Sequence, residues 1–106
     1  APACRAVVHA HPIATIALSL AAKSINYGIL PEADMVLGRV AHVPFAPPGT
    51  SALPDAMQPY MLESTTYLLA RHGATTIGAD LMEAFIRMET LERIARVMLA
   101  VESMHP

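Results

Sequence analysis

Three histidines stand where their spacing could hold a metal ion. His9 and His11 lie two residues apart at the end of a short apolar run, and His72 precedes Gly73 at the end of a run rich in β formers. Residues i and i+2 of a strand point to the same side, so two of these imidazoles can reach one ion. Three imidazoles with an open fourth position are a ligand set of catalytic zinc. The spacing predicts a site for Zn²⁺, or another divalent cation, at His9, His11 and His72; the alternative is strand-end histidines with ordinary hydrogen bonds.

The elements that must position these histidines alternate between strands and helices. A hairpin across His72 and Gly73 is expected to join two strands antiparallel, and Asp80 with Glu83 predicts the capped start of a long helix. The pattern therefore predicts an α/β fold, a small sheet flanked by helices. Strands are predicted at Ala6–His9, Val40–Phe45, Thr65–Ala70 and Ala74–Ile77, and helices from Pro12 to about Lys23, at Pro31–Leu37, from Ser51 to about Leu62, and from Asp80 to Ser103.

Composition excludes several classes of protein. The chain has 106 residues, enough for one domain, and 54% of them are hydrophobic while 15% are charged, which excludes intrinsic disorder. Seven scattered Lys and Arg residues and a net charge of −2 provide no basic face for nucleic acid. The longest apolar run, Ile13–Ala22, is about half of what a membrane-spanning helix needs. We expect neither nucleic-acid nor membrane binding.

The apolar excess and the cysteine count bear on assembly and compartment. A small domain cannot hide this much apolar surface alone, so subunit interfaces or covering sequence outside residues 1–106 are expected. The single cysteine cannot form an internal disulfide, which is typical of a reducing cytoplasm.

Five segments together resemble the class II aldolase/adducin family. They occur in the order and at the intervals usual for that family, and they span nearly the whole chain. They are Val7–Pro12, Ala46–Thr50, Leu68–Gly73, Gly78–Phe85 and Glu89–Glu92.

The resemblance implies a fold, an assembly and a reaction. Members have a sheet flanked by helices and usually form four-fold symmetric homotetramers with active sites between subunits. It implies that His9, His11 and His72 bind a divalent ion, generally zinc. It also implies a metal-dependent aldolase (lyase) that cleaves a ketose phosphate, such as L-fuculose 1-phosphate, to dihydroxyacetone phosphate and an aldehyde. In that reaction the ion stabilises the enediolate.

Two departures from the family pattern concern catalysis. Members run to roughly twice this length, and the part preceding Ala1 would contain the phosphate-binding loops and a glutamate that binds metal and moves the proton. The tyrosine proton donor of the aldolases is also missing from Leu30–Leu37, and Tyr27 is off register. Residues 1–106 are therefore interpreted as a domain lacking its N-terminal part, with the catalytic acid–base residue unknown.

Two further functions remain open on the same ligand set. A pentulose-phosphate 4-epimerase or a metal-dependent decarboxylase would use identical histidines. A non-catalytic, adducin-like interaction domain is the other alternative, although its relatives have typically lost the histidines that are present here.

Overall fold

A four-stranded sheet forms the centre of the computed structural model, which describes residues 4–21 and 30–104. The strands are β1 (Ala6–Ala10), β2 (Val40–Val43), β3 (Thr66–Leu69) and β4 (Gly73–Gly78). Their spatial order is β1-β4-β3-β2, with β4 antiparallel to both of its neighbours and β2 parallel to β3. The mixed sheet confirms the predicted α/β class and the antiparallel pair across His72 and Gly73.

Helical segments alternate with the strands in the predicted order, and the first and third of them are shorter than predicted. The first helix was predicted to reach about Lys23, but it ends at Leu20. Residues 22–29, which include Tyr27, lie outside the described residues. None of the described helices is both long and apolar enough to cross a bilayer. The segments are α1 (Ile13–Leu20), a π-helical turn (Ala33–Leu37), α2 (Ala52–Met57), a 3-10 turn (Gln58–Tyr60) and α3 (Leu81–Ser103).

Both faces of the sheet are covered. One face packs against α3 and the π-helical turn through Leu37, Ala74 and Leu91, and α1 packs on α3 beside it. The other face packs through Tyr67 and Leu69 against partly buried residues of α2 and the 3-10 turn. All positions of β3 and β4 are buried, because these two strands lie in the middle of the sheet.

The short apolar, β-branched run from Ala6 to His9 is typical of a buried strand, but that prediction is wrong, because β1 lies at the edge of the sheet. Among the described strands it pairs with β4 alone, and its residues alternate between partly buried and exposed, with Val7 58% exposed. An edge strand with one covered face shows this alternation. The arrangement leaves His9 and His11 accessible to solvent at the end of the strand.

Helix α3 begins as the sequence predicts. The Asp80 carboxylate accepts a 2.8 Å hydrogen bond from the Glu83 backbone N–H, and the Glu83 carboxylate accepts one from the Ala79 N–H at 2.9 Å. Apolar residues three and four apart along α3 predict a buried stripe from Leu81 to Val101, but this prediction is wrong at both ends, because Leu81 is 66% and Val101 45% exposed. The helix of 23 residues is longer than the strands of four to six residues, and its buried residues run only from Ala84 to Ala95.

Candidate metal centre

Strand pairing brings the three predicted histidines together. Ala10 at the end of β1 is paired with Ala74 near the start of β4, so His11 lies beside the turn that carries His72. The ring centroids of His9 and His72 are 4.8 Å apart, and each lies 5.1 Å from the centroid of His11. One ring nitrogen from each residue can be chosen so that all three lie within 4.8 Å of one another. That spacing fits nitrogens that converge on one ion.

The turn between β3 and β4 is narrow and strained. Arg71 has φ of 60°, the left-handed region that residues with a side chain rarely adopt, and the His72 N–H donates to the Leu69 carbonyl at 3.1 Å. The Arg71 guanidinium lies over the ring of Phe45, 4.6 Å from its centroid. The chain therefore reverses immediately before His72 and places this residue next to the end of β1.

Gly73 allows β1 to approach this turn closely. A Cβ at this position would overlap the carbonyl oxygen of Ala10 and lie 2.9 Å from Cδ2 of His11. The glycine is present because the edge strand passes directly over its Cα. The sequence marks the position as His-Gly but does not show which segment needs the space.

Thr75 orients the first of the histidines. Its hydroxyl lies 3.1 Å from Nδ1 of His9, and the register places these residues opposite each other on β4 and β1. With Nδ1 occupied, Nε2 of His9 is the nitrogen left to bind an ion. Sequence reasoning missed Thr75, because nothing distinguishes it from three other threonines at 65, 66 and 76 until the strands are paired.

His72 has the properties of a metal ligand. Its Nδ1 is buried and makes no hydrogen bond, although buried polar atoms are rarely left unpaired. Burial lowers the pKa of His72, and the neighbouring His9 and His11 lower it further. The imidazole is therefore neutral at pH 7, which is the form that binds metal ions. The unpaired nitrogen and the all-imidazole donor set both fit a divalent cation.

No carboxylate or thiolate joins the group among the residues that the structure describes. Glu32 is half-buried and Asp34 exposed, and neither belongs to the cluster. A lone cysteine such as Cys4 is usually a small core residue, and a histidine within a predicted strand, such as His42, is usually partly buried. Both residues are exposed, so these two expectations are wrong. The described cluster can hold an ion and supplies no separate proton acceptor.

A family match covers most of the chain. The family described as "Class II Aldolase and Adducin N-terminal domain" matches residues 1–99. The chain belongs to this family.

Individual relatives divide between two activities. The chain is 35% identical to L-fuculose phosphate aldolase of Methanococcus maripaludis over 92 residues, 87% of this chain and 49% of that protein. It is 33% identical to 3-oxo-tetronate 4-phosphate decarboxylase of Escherichia coli K12 over 100 residues, 91% of this chain and 47% of that protein. The chain thus spans about half the length of the curated relatives it matches.

Solved structures of two other proteins are similar to the structure of this chain. YgbL from Klebsiella pneumoniae superposes with a TM-score of 0.83 at 33% identity, over 93% of this chain and 50% of its own. L-fuculose-1-phosphate aldolase from Thermus thermophilus superposes with a TM-score of 0.78 at 28% identity, over 95% and 55%. These structures share the fold described above.

Substitution of Gly73 by alanine tests the close approach at the centre. We expect Gly73→Ala to push β1 and His11 away from the turn and to lower the free energy of unfolding by about 1–3 kcal/mol, the range for overpacked sites. Urea unfolding measures the loss, and the ring signals of His11 in an NMR spectrum should shift while those of His42 do not. A change in stability below about 0.5 kcal/mol, typical of surface substitutions, would contradict this packing.

Proposed function

We propose that His9, His11 and His72 bind one divalent cation, zinc, and that the chain is the metal-binding part of a sugar-phosphate lyase. The observation that carries the proposal is the convergence of three imidazoles from two strand ends, with one ring nitrogen each inside a 4.8 Å group. Imidazole nitrogens suit zinc among the divalent metals. The family match supports divalent-metal chemistry for this fold.

The residues of the chain would have different roles at such a site. Thr75 fixes the ring of His9 through Nδ1, and the neutral imidazole of His72 presents an unpaired buried nitrogen. A bound divalent ion would act as a Lewis acid toward negative charge that develops on a substrate oxygen. His9 and His11 are exposed, so substrate can reach the cluster from solvent. Because imidazoles engaged as ligands cannot also accept a proton, the proton acceptor must be another group.

The reaction we propose is aldol cleavage of a ketose phosphate such as L-fuculose 1-phosphate. The relatives named L-fuculose phosphate aldolase, at 32–35% identity, support this activity. Decarboxylation of a 3-oxo sugar-acid phosphate is the second candidate, supported by relatives named 3-oxo-tetronate 4-phosphate decarboxylase at 29–34% identity. Both reactions leave negative charge on an oxygen next to the broken carbon–carbon bond, so one metal site can serve either.

Three other expectations from the sequence and the family resemblance stay predictions. They are the four-fold tetramer, the cytoplasmic location and the pentulose-phosphate epimerase alternative. The three clustered histidines argue against a non-catalytic, adducin-like role, because such a role does not require residues that bind a metal ion.

Metal titration of single-histidine variants tests the site. We expect the chain to bind one zinc ion, and His72→Ala to weaken the affinity by at least about 100-fold, since a lost ligand should cost at least as much as a lost outer-shell contact. Isothermal calorimetry measures the affinity. The exposed His42 provides the control, and His42→Ala should bind zinc as the unaltered chain does. Equal affinities in both variants would contradict the assignment.

An assay of the zinc-loaded chain tests whether it lacks a general base of its own. Dihydroxyacetone phosphate release from L-fuculose 1-phosphate reports aldolase activity, and carbon dioxide release from 3-oxo-tetronate 4-phosphate reports decarboxylase activity. We expect turnover about 10²–10⁴-fold below that of the Methanococcus maripaludis aldolase, because the described residues supply no general base. Turnover within about tenfold of that relative would show that the chain contains its own base. Glu32→Gln would then be the first variant to measure.

A further inference from the structure

Glu92 of α3 is bonded to the first turn of α1. Its carboxylate accepts hydrogen bonds from the backbone N–H groups of Ala14 at 3.0 Å and Thr15 at 2.9 Å, and from the Thr15 hydroxyl at 2.9 Å. Arg96, one turn further along α3, donates to the same carboxylate at 3.1 Å. The Glu92 side chain is only 15% exposed, and its contacts with α1 are partly buried, whereas its contact with Arg96 is exposed.

These contacts replace a cap that the sequence of α1 does not provide. The first N–H groups of a helix have no partner within the helix and are usually satisfied by the side chain of the N-cap residue. The N-cap residue of α1 is Pro12, which makes no side-chain hydrogen bond. Glu92 therefore caps α1 from a distant part of the chain, 77 residues away from Thr15.

The capped turn begins two residues after His11. On its other side, His11 follows Ala10, the last residue of β1 to pair with β4. Within residues 4–21 and 30–104, no hydrogen bond to the His11 imidazole is formed, whereas His9 is oriented by Thr75. The position of His11 thus depends on its backbone, which is held by β1 on one side and by the start of α1 on the other.

We propose that Glu92 is a positioning residue for the metal centre, which fixes His11 against His9 and His72 by holding the first turn of α1. This inference rests on the proposed metal site. Burial raises the pKa of Glu92, but the hydrogen bonds from Ala14, Thr15 and Arg96 outweigh it and lower the pKa overall. The carboxylate is therefore ionised at neutral pH and able to accept all of these bonds.

Cobalt binding by Glu92→Gln tests the inference. The amide keeps the size of the carboxylate but turns one acceptor atom into a donor, which cannot pair with a backbone N–H. We expect a Co²⁺ affinity about 10–100-fold lower, the range for outer-shell contacts, together with a changed visible absorption spectrum of the bound ion. Both are measured at a temperature where circular dichroism shows each variant to be fully folded.

Glu89→Gln is the matched control. Glu89 lies on the same helix, is exposed, and makes no hydrogen bond to α1 among the described residues. This variant removes the same charge, and it should leave both the affinity and the spectrum unchanged. A purely structural role of Glu92 would lower the melting temperature alone, so an unchanged affinity and spectrum in folded Glu92→Gln would overturn the inference.

A second variant covers the case in which Glu92→Gln does not fold. Thr15→Val replaces a fully buried hydroxyl with a methyl group of similar size and removes one of the donors to Glu92. We expect a smaller loss of Co²⁺ affinity, about threefold or more, as for one hydrogen bond. An unchanged affinity in folded Thr15→Val would then overturn the inference. Failure of the unaltered chain to bind Co²⁺ would instead refute the metal centre itself.

Discussion

The close approach of β1 to the turn between β3 and β4 is the constraint on which the candidate site depends. The edge strand passes over Gly73 so tightly that a single added carbon atom would meet the Ala10 carbonyl oxygen and the His11 ring. This contact joins parts of the chain that are more than 60 residues apart and places His72 beside His9 and His11. The histidine cluster thus exists only when the edge of the sheet is correctly paired.

Helix α3 supports the same site from the other side. Its first two turns pack on the sheet, where Arg87 donates to the carbonyl oxygen of Ile77 at 2.6 Å and Thr76 donates to that of Ala84 at 2.6 Å. Further along, Glu92 reaches the start of α1. One helix therefore fixes both β4, which carries Thr75, and the segment that follows His11. Exposed histidines at a sheet edge gain from such support, because they have few packing contacts of their own.

The parts of the structure that depend on local sequence were predictable. The hairpin at His72 and the cap at Asp80 involve neighbouring residues, and both are found in the structure. The edge position of β1 was not predictable, because strand order is a property of the whole sheet. Thr75 and Glu92 were missed for the same reason: their partners lie 66 and 77 residues away, and only register and helix packing bring them together.

Histidine side-chain NMR of the chain during zinc addition tests the central claim most directly. We expect the ring nitrogens of His9, His11 and His72 to shift together and to stop shifting at one equivalent of zinc. For His9 the metal-induced shift should fall on Nε2, because Nδ1 is engaged by Thr75. The exposed His42 should not change. Saturation without a shift of His72, or equal shifts of His42 and the cluster, would contradict a metal centre built from these three residues.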